Sequence, residues 1–377
     1  MFRRIVFHTS DWHLGKNRKC ADHLEQQRYM LQAIRVLLHK TIIENPSAEI
    51  WCIMAGDVFD RNEDTKLEEF ALAMSYFLAP FIELENIFPN FHWWAIDGNH
   101  DRKPYIPDDP HSECSLLSPL IKFAPNNIIV QNPKYIADKK LLLVPFNGYD
   151  EKGLRDILKQ YPDTKYMALH ECLNTIKTDK GWTPRKQEKY IDIKNILKDF
   201  EISGIFVGDI HRSQCLDDAG ICWYSGSPST LDHSHEMPKG VLIHTYQNDV
   251  PVSHDLIPLG DPKIKTHKQF GFLKDPNKIP MDELNQFENY YYQLIVSPEV
   301  YAVIDKAIPL FFSSPNVSWE FPRERPTLKS GSVENEEEKE DYYVDLINQW
   351  IADNTMKLSS KEKQDLAQRL LLDFQER

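Results

Sequence analysis

The chain has little cysteine. Its six thiols, Cys20, Cys52, Cys114, Cys172, Cys215 and Cys222, form no C-x-x-C pair and no zinc spacing. That excludes a cysteine-built metal knuckle and a redox dithiol, and it reads as a set of reduced cytosolic thiols. No stretch approaches the ~18–20 uncharged apolar residues of a membrane span. Residues 1–9 carry too short an apolar run for a signal peptide and read as the first strand of a folded domain. Positive charge is also short: 44 Lys and Arg against 57 Asp and Glu leave a formal net charge of −13. A protein coated in positive charge is thereby excluded, and nucleic-acid binding would need a local basic surface. Internal repeats are absent.

What is present is apolar mass. Hydrophobic residues make up 41 % of 377, with 19 Phe, 16 Tyr and 8 Trp, enough for one large core and a smaller companion. Short apolar runs at 4–9, 50–55, 91–96, 141–145, 166–169, 204–207 and 240–246 have the length and composition of buried strands. Helical patterns at 21–44 and 65–85 separate the first three. The alternation predicts an α/β domain over 1–257 with a parallel or mixed sheet. After a break containing Pro258, Gly260 and Pro262, a strand (290–296), a helix (298–308) and a strand (316–321) predict a small α+β domain over 263–328. Residues 329–341 read as an acidic linker with Glu334, Glu336, Glu337 and Glu338. Residues 342–377 read as a helical tail. Tyr343, Ile347, Trp350 and Ile351 form one apolar stripe, Leu366, Leu370 and Phe374 a second, and Ser359 with Glu362 a capping box.

The chemistry sits in short polar segments that follow apolar runs. They are Ser10-Asp11-Trp12-His13-Leu14-Gly15, Gly56-Asp57-Val58-Phe59-Asp60, Gly98-Asn99-His100-Asp101, Leu169-His170-Glu171 and Gly208-Asp209-Ile210-His211. In open α/β sheets, loops at the carboxyl ends of strands converge to make sites. Asp11 and His13 stand on one side of a strand end because alternate residues share a face. Gly56 allows a sharp turn where its strand stops. Each segment alone has an ordinary explanation; a lone histidine at a strand end is more often core than ligand. Their coincidence, in this order and each after an apolar run, points to a metal centre. Carboxylates, imidazoles and an amide without thiolate suit Mn²⁺ or Mg²⁺. Basic residues follow the segments directly: Lys16, Arg18 and Lys19, then Arg61, then Arg102 and Lys103, then Arg212. Converging loops would gather them on the rim of one cleft, where phosphates bind. Arg185, Lys186 and Lys189 offer a weaker extension.

The order D-x-H, G-D-x-x-D, G-N-H-[DE], H, G-x-x-H resembles the calcineurin-like metallophosphoesterase superfamily. Three further matches resemble the SbcD-type nucleases of double-strand-break repair: His8 to Gly15, Ala55 to Arg61, and Tyr224-Ser225-Gly226-Ser227-Pro228-Ser229 followed by Pro238-Lys239-Gly240-Val241. The resemblance covers about residues 1–250. It implies a two-sheet sandwich flanked by helices and two Mn²⁺ ions, with Mg²⁺ as the alternative. Asp11, His13 and His211 would hold one ion, Asp57 would bridge, and Asn99, His170 and Asp209 would hold the other. Asp209 departs from the family's usual G-H-x-H. His100 would act on the scissile phosphate, with Asp101 as the carboxylate that orients it or a ligand histidine. The resemblance also implies a DNA exonuclease and endonuclease subunit for recombination, repair or replication. It would be a homodimer bound through its tail to an SbcC-like coiled-coil ATPase, in the cytoplasm of a bacterial or phage-infected cell. Helix 65–85 is a candidate dimer surface. The rival readings are a phosphatase or small-molecule phosphodiesterase, and a scaffold that has lost catalysis.

Overall fold

The computed structural model describes residues 2–16, 23–60, 67–102, 115–174, 176, 191–229, 239–259, 266–286, 290–314 and 316–320, all within one compact unit, Met1–Pro322. The expected acidic linker and helical tail lie outside the described residues.

Two six-stranded sheets stack face to face. The first is built from β1 (Arg3–Thr9), β2 (Glu49–Ala55), β3 (Phe91–Ile96), β4 (Ile128–Ile129), β11 (Val241–Gln247) and β12 (Val250–Ile257), in the order β12-β11-β1-β2-β3-β4. Strands β1 to β4 pair in parallel, and β11 and β12 close one edge antiparallel. The second sheet holds β5 (Lys134–Ile136), β6 (Leu141–Val144), β7 (Tyr166–His170), β8 (Gly204–Gly208), β9 (Gln214–Cys215) and β10 (Cys222–Tyr224), in the order β5-β6-β7-β8-β10-β9. Its central strands β6, β7, β8 and β10 are parallel.

The apolar runs are continuous because these strands are buried on both faces. Ile5 and Phe7 of β1 and Ile50, Cys52 and Met54 of β2 face the helices outside. Val6, Trp51 and Ile53, on the alternate positions, meet Leu141, Tyr166 and Phe206 of the other sheet. Each side chain of this size contributes roughly 1.5–3 kcal/mol on full burial. Arg4 is the polar exception at one end of this layer. It stacks on Trp51 and Tyr166 and pairs with Glu49 and Asp249, each at 2.9 Å.

Helix α1 (His23–Glu44) covers the outer face of the first sheet through Met30, Leu31, Ile34, Leu38 and Ile42. Beside it run α2 (Leu67–Ala73), a π-helical turn (Met74–Leu78) and α3 (Ala79–Ile87). Pro80 has no N–H to donate, and the wider turn before it absorbs the missing bond. This helical run over Glu68–Ile87 is long and apolar enough to cross a membrane by length and composition, yet it holds no uncharged apolar stretch of the length the sequence reading excluded. Glu83 and Glu85 interrupt it, so no uncharged run marks it in the sequence, and Ala73, Phe77, Leu78, Phe81 and Leu84 pack into the sheet core.

A short α4 (Ser118–Ile121) leads to β4. Two helices not anticipated from sequence, α5 (Glu151–Gln160) and α6 (Ile193–Asp199), cover the second sheet with Leu154, Leu158, Ile193 and Ile196. Asp150 and Asp192 cap them by accepting from Gly153 N and Lys194 N. The fold is therefore an α/β sandwich of two mixed sheets flanked by helices.

A three-stranded parallel sheet follows, of β13 (Thr266–Leu273), β14 (Tyr290–Val296) and β15 (Val317–Glu320), with α7 (Met281–Leu284) and α8 (Pro298–Ala307). It has its own core of Leu284, Tyr292, Leu294, Val300, Ile304 and Phe311. Strand β13 was unmarked in the sequence because Lys268 and Gln269 interrupt its apolar residues. The described cysteines, Cys52, Cys172, Cys215 and Cys222, are free thiols.

Candidate metal centre

Parallel strands β1, β2 and β3 of one sheet and β7 and β8 of the other deliver their carboxyl ends to one place. The loops after β1 and β2 extend the strand pairing beyond the sheet. Asp11 N donates to Gly56 O (3.0 Å), His13 N to Asp57 O (3.0 Å), Leu14 N to Val58 O (2.8 Å), and Asp60 N returns to Leu14 O (2.9 Å). Asp11, His13, Asp57 and Asp209 have positive φ of 55°, 47°, 56° and 99°. Such backbones cost roughly 1–3 kcal/mol each and persist where the surroundings over-determine them. Two glycines permit the close approach. A Cβ on Gly56 would lie 2.2 Å from His170 Nδ1, and one on Gly98 would lie 2.1 Å from Asp57 Oδ1.

The side chains converge from there. His13 donates from Nδ1 to Asp60 Oδ1 at 2.8 Å, which leaves the Nε2 lone pair facing inward. That Nε2 lies 3.1 Å from His211 Nε2, 3.5 Å from Asp57 Oδ2 and 3.9 Å from Asp11 Oδ1. His211 Nε2 is 3.7 Å from Asp11 Oδ1. His170 Nε2 lies 3.4 Å from Asp57 Oδ1, 3.0 Å from Asn99 Oδ1 and 3.9 Å from Asp209 Oδ1. The Asn99 amide faces the same locus: with its nitrogen inward it donates to Asp57 Oδ2 at 3.2 Å and His170 Nε2 at 3.0 Å, and with its oxygen inward it would serve as a cation ligand. Three groups have donor atoms close enough to share an ion: Asp11–His13–His211, Asp11–Asp57–His170 and, beside them, His13–Asp60–His100. The structure thus gathers Asp11, His13, Asp57, Asn99, His170, Asp209 and His211 in one cluster.

The electrostatics call for a cation. Asp11 is fully buried, and burial pushes its carboxyl up to about 7, with Asp57 and Asp209 adding repulsion against the pull of His170. Its Oδ1 is buried with no hydrogen-bond partner, an expensive state for an acceptor unless an ion satisfies it. Burial also raises Asp209. Burial acts on Asp57 too, but His170, then His13 and His100, outweigh it and hold that carboxyl far below the usual range. His170 is raised well above an ordinary imidazole, against its burial, by Asp57, Asp11 and Asp209.

His100 stands beside this cluster, its ring edge-on to His13 at 4.6 Å between centroids and its side chain 36 % exposed. Its backbone N donates to Asp57 Oδ1 at 2.9 Å. Its Nδ1 lies 3.3 Å from Asp60 Oδ1, and that carboxylate raises the imidazole against the effect of burial. Asp60, not Asp101, is therefore the carboxylate on both His13 and His100. Sequence reasoning passed over it, although it is the second acid of the Gly56–Asp60 motif. Asp101 is buried and accepts from the backbone N–H groups of Gly98 (2.8 Å), Phe59 (2.8 Å) and Val58 (3.2 Å). Burial, then the charge of Asp57, pushes it up to about 8. It pins the loop after β3 to the loop after β2.

Of the anticipated basic rim, Lys16 and Arg212 are half-buried beside the cluster. Arg102 is held by Asp97 at 3.0 Å and reaches Asn147 at 3.4 Å, so its charge is already partnered. Arg18, Arg61 and Lys103, with Lys19, Arg185, Lys186 and Lys189, lie outside the described residues. A cation the sequence reading did not place at the site is Lys239, which donates to His211 O. The Tyr224–Ser229 segment also touches the centre, since Ser10 Oγ donates to Asp11 and lies 2.7 Å from Ser225 Oγ.

Residues 5–213 match the calcineurin-like phosphoesterase family, and the chain belongs to that family of hydrolases. Within it, the sequence is similar to a Staphylococcus epidermidis protein named as the SbcD component of the nuclease SbcCD, 24 % identical over 283 residues, covering 67 % of this chain and 69 % of that one. The family implies divalent metal ions, and the residues here fit them. The orphaned Asp11 Oδ1, the inward lone pairs of His13 and His170, and an all oxygen-and-nitrogen donor set are what such ions need.

Proposed function

We propose that the chain is a Mn²⁺-dependent DNA exonuclease and endonuclease subunit that hydrolyses DNA phosphodiester bonds in recombination, repair or replication. The observation that carries this reading is the convergence of seven ligand side chains on one buried locus with half-exposed His100 at its side. Asp11, His13 and His211 would hold one ion, Asn99, His170 and Asp209 a second, and Asp57 would bridge them. Bound there, the pair supplies an activated water and stabilises charge on the phosphate. The chain's own residues do the rest. Asp60 Oδ1 is the ion-pair partner 3.3 Å from His100 Nδ1, without hydrogen-bond geometry in this structure, and Nε2 would protonate the leaving oxygen or donate to the phosphate. Asp60 also fixes His13, so one carboxylate orients a ligand and the acid together. Asp101 acts as a positioning residue by pinning the loop that carries Asn99 and His100.

The motif Ser10–Gly15 and the similarity to a named nuclease component support DNA as substrate. On the same basis the chain would be cytoplasmic and would partner an SbcC-like coiled-coil ATPase through residues 342–377, with 1–257 as nuclease domain, 263–328 as a small DNA-binding cap and 329–341 as linker. A homodimer is supported by an apolar groove of about 400 Å³ along α3, lined by Met74, Ile82, Ile87 and Phe123. Ile87 and Phe123 are 58 % and 60 % exposed. The test is degradation of labelled linear duplex DNA with Mn²⁺, set beside hydrolysis of a small phosphodiester. Rapid hydrolysis of the small ester with intact DNA would move the reading to a small-molecule phosphodiesterase.

A further inference from the structure

The two halves of the donor cluster differ in kind. On one side of Asp57 stand two imidazoles, His13 and His211, with Asp11. On the other side His170 faces carboxylate oxygens of Asp57 at 3.4 Å and Asp209 at 3.9 Å, and the amide of Asn99 at 3.0 Å. His100 does not redress the balance, because it is turned to Asp60. Asp209 is the residue that decides this. An imidazole in its place would give both halves two nitrogens. Its φ of 99° is uncommon outside glycine, and Asp, Asn and His are the residue types enriched among such exceptions. The backbone therefore admits any of the three, and the choice among them is one of ligand chemistry.

We propose that Asp209 makes the His170 half the harder-cation subsite of the two, narrowing its preference for Zn²⁺, Co²⁺ and Ni²⁺ over Mn²⁺ and Mg²⁺ relative to the His13–His211 half, which keeps the full preference for the nitrogen-preferring metals. The proposal rests on the two-metal reading above and deepens it. Carboxylate and amide oxygens suit Mg²⁺ and Mn²⁺, whereas imidazole favours zinc and the later transition metals. Asp209 raises the attraction for any dication by its charge, but its donor type sets the order among them. Where Mn²⁺ or Mg²⁺ is in excess, the two halves can then hold different metals at once, with the oxygen-rich half loaded from the manganese or magnesium pool.

The test is competitive loading of the full chain. Protein dialysed against Mn²⁺ in graded excess over Zn²⁺ is analysed for metal content by mass spectrometry and for bound Mn²⁺ by electron paramagnetic resonance. Over a range of ratios wild type should carry one zinc and one manganese, because the His170 half exchanges zinc for manganese first. Asp209→His should take zinc in both halves, raising the Zn²⁺-to-Mn²⁺ preference of the second by on the order of tenfold. Asp209→Asn keeps an oxygen donor and should bind Mn²⁺ more weakly without gaining zinc, which guards against a folding defect in the histidine variant. Exchange of zinc for manganese in both halves of wild type at the same ratio overturns the proposal, and so does Asp209→Asn gaining zinc as the histidine variant does. A chain that shows this selectivity but leaves DNA intact sinks the nuclease reading alone. A chain that binds a single ion sinks the two-metal reading and this proposal together.

Discussion

His170 Nδ1 lies 2.7 Å from the carbonyl oxygen of Ala55, so the last residue of β7 in one sheet is tied to the last residue of β2 in the other. A carbonyl only accepts, which puts a ring proton on Nδ1 and leaves Nε2 as the atom facing Asp57 and Asn99, where a bound cation would displace any second proton. The bond thus sets a metal-binding tautomer at the seam between the sheets. Anomalous scattering from Mn²⁺-soaked crystals should show two peaks within about 4 Å of each other. His170→Ala should lose the peak beside Asn99 and keep the one beside His13. A single peak in the wild-type protein would end the two-metal mechanism.

Asp60 couples the acid to the metal ligands, whereas His100 separates chemistry from metal holding. His100→Ala should keep both metals and DNA binding while cleavage falls by about 10²–10⁴-fold. Asp60→Asn should harm both, because the same oxygen holds His13 and His100; metal affinity should drop by roughly 10–100-fold. Calorimetric Mn²⁺ titrations beside cleavage rates distinguish the two. If His100→Ala lost a metal, His100 would be a ligand and not the acid.

Glu49 carries a stability prediction. Burial by itself would raise its carboxyl, but Lys139 at 2.6 Å and Arg4 at 2.9 Å outweigh burial and hold it below the ordinary 4.5. A group depressed in the folded state contributes stability above its unfolded value and loses it as pH falls through the folded value. Urea unfolding should therefore find Glu49→Gln less stable than the parent by roughly 1–3 kcal/mol at neutral pH. The difference should shrink as pH drops below the ordinary 4.5 and through the lower folded value. A difference undiminished in acid would mean that packing, not charge, is what Glu49 contributes.

The tail prediction concerns partners. Two apolar helical stripes of about 12 residues are marginal alone in water and need a surface to cover. A truncation to residues 1–330 should keep metal-dependent nuclease activity and no longer co-purify with the coiled-coil ATPase. A pull-down in which the truncated chain still captures the ATPase at full affinity would place that interface elsewhere.

The amino-acid sequence by itself determined the donors and their order. Each ligand follows a run such as Ile50–Ala55 or Phe91–Ile96 whose composition marks a doubly buried strand, and a parallel sheet sends all such ends one way. It could not mark β4, β5, β9 or β10, which are two or three residues long, nor β12, whose half-exposed edge lacks an apolar run. Only the tertiary structure decided which carboxylate serves which imidazole. Asp101 is the sequence neighbour of His100 yet turns to the backbone of Gly98, Val58 and Phe59, while Asp60, from another strand's loop, meets it. Likewise Arg102, a rim cation by sequence, is taken by Asp97. Spacing along a chain fixes which face a residue occupies. Hydrogen-bond partners between loops of different strands depend on ångström-scale placement, and that exists only once the sheets have packed.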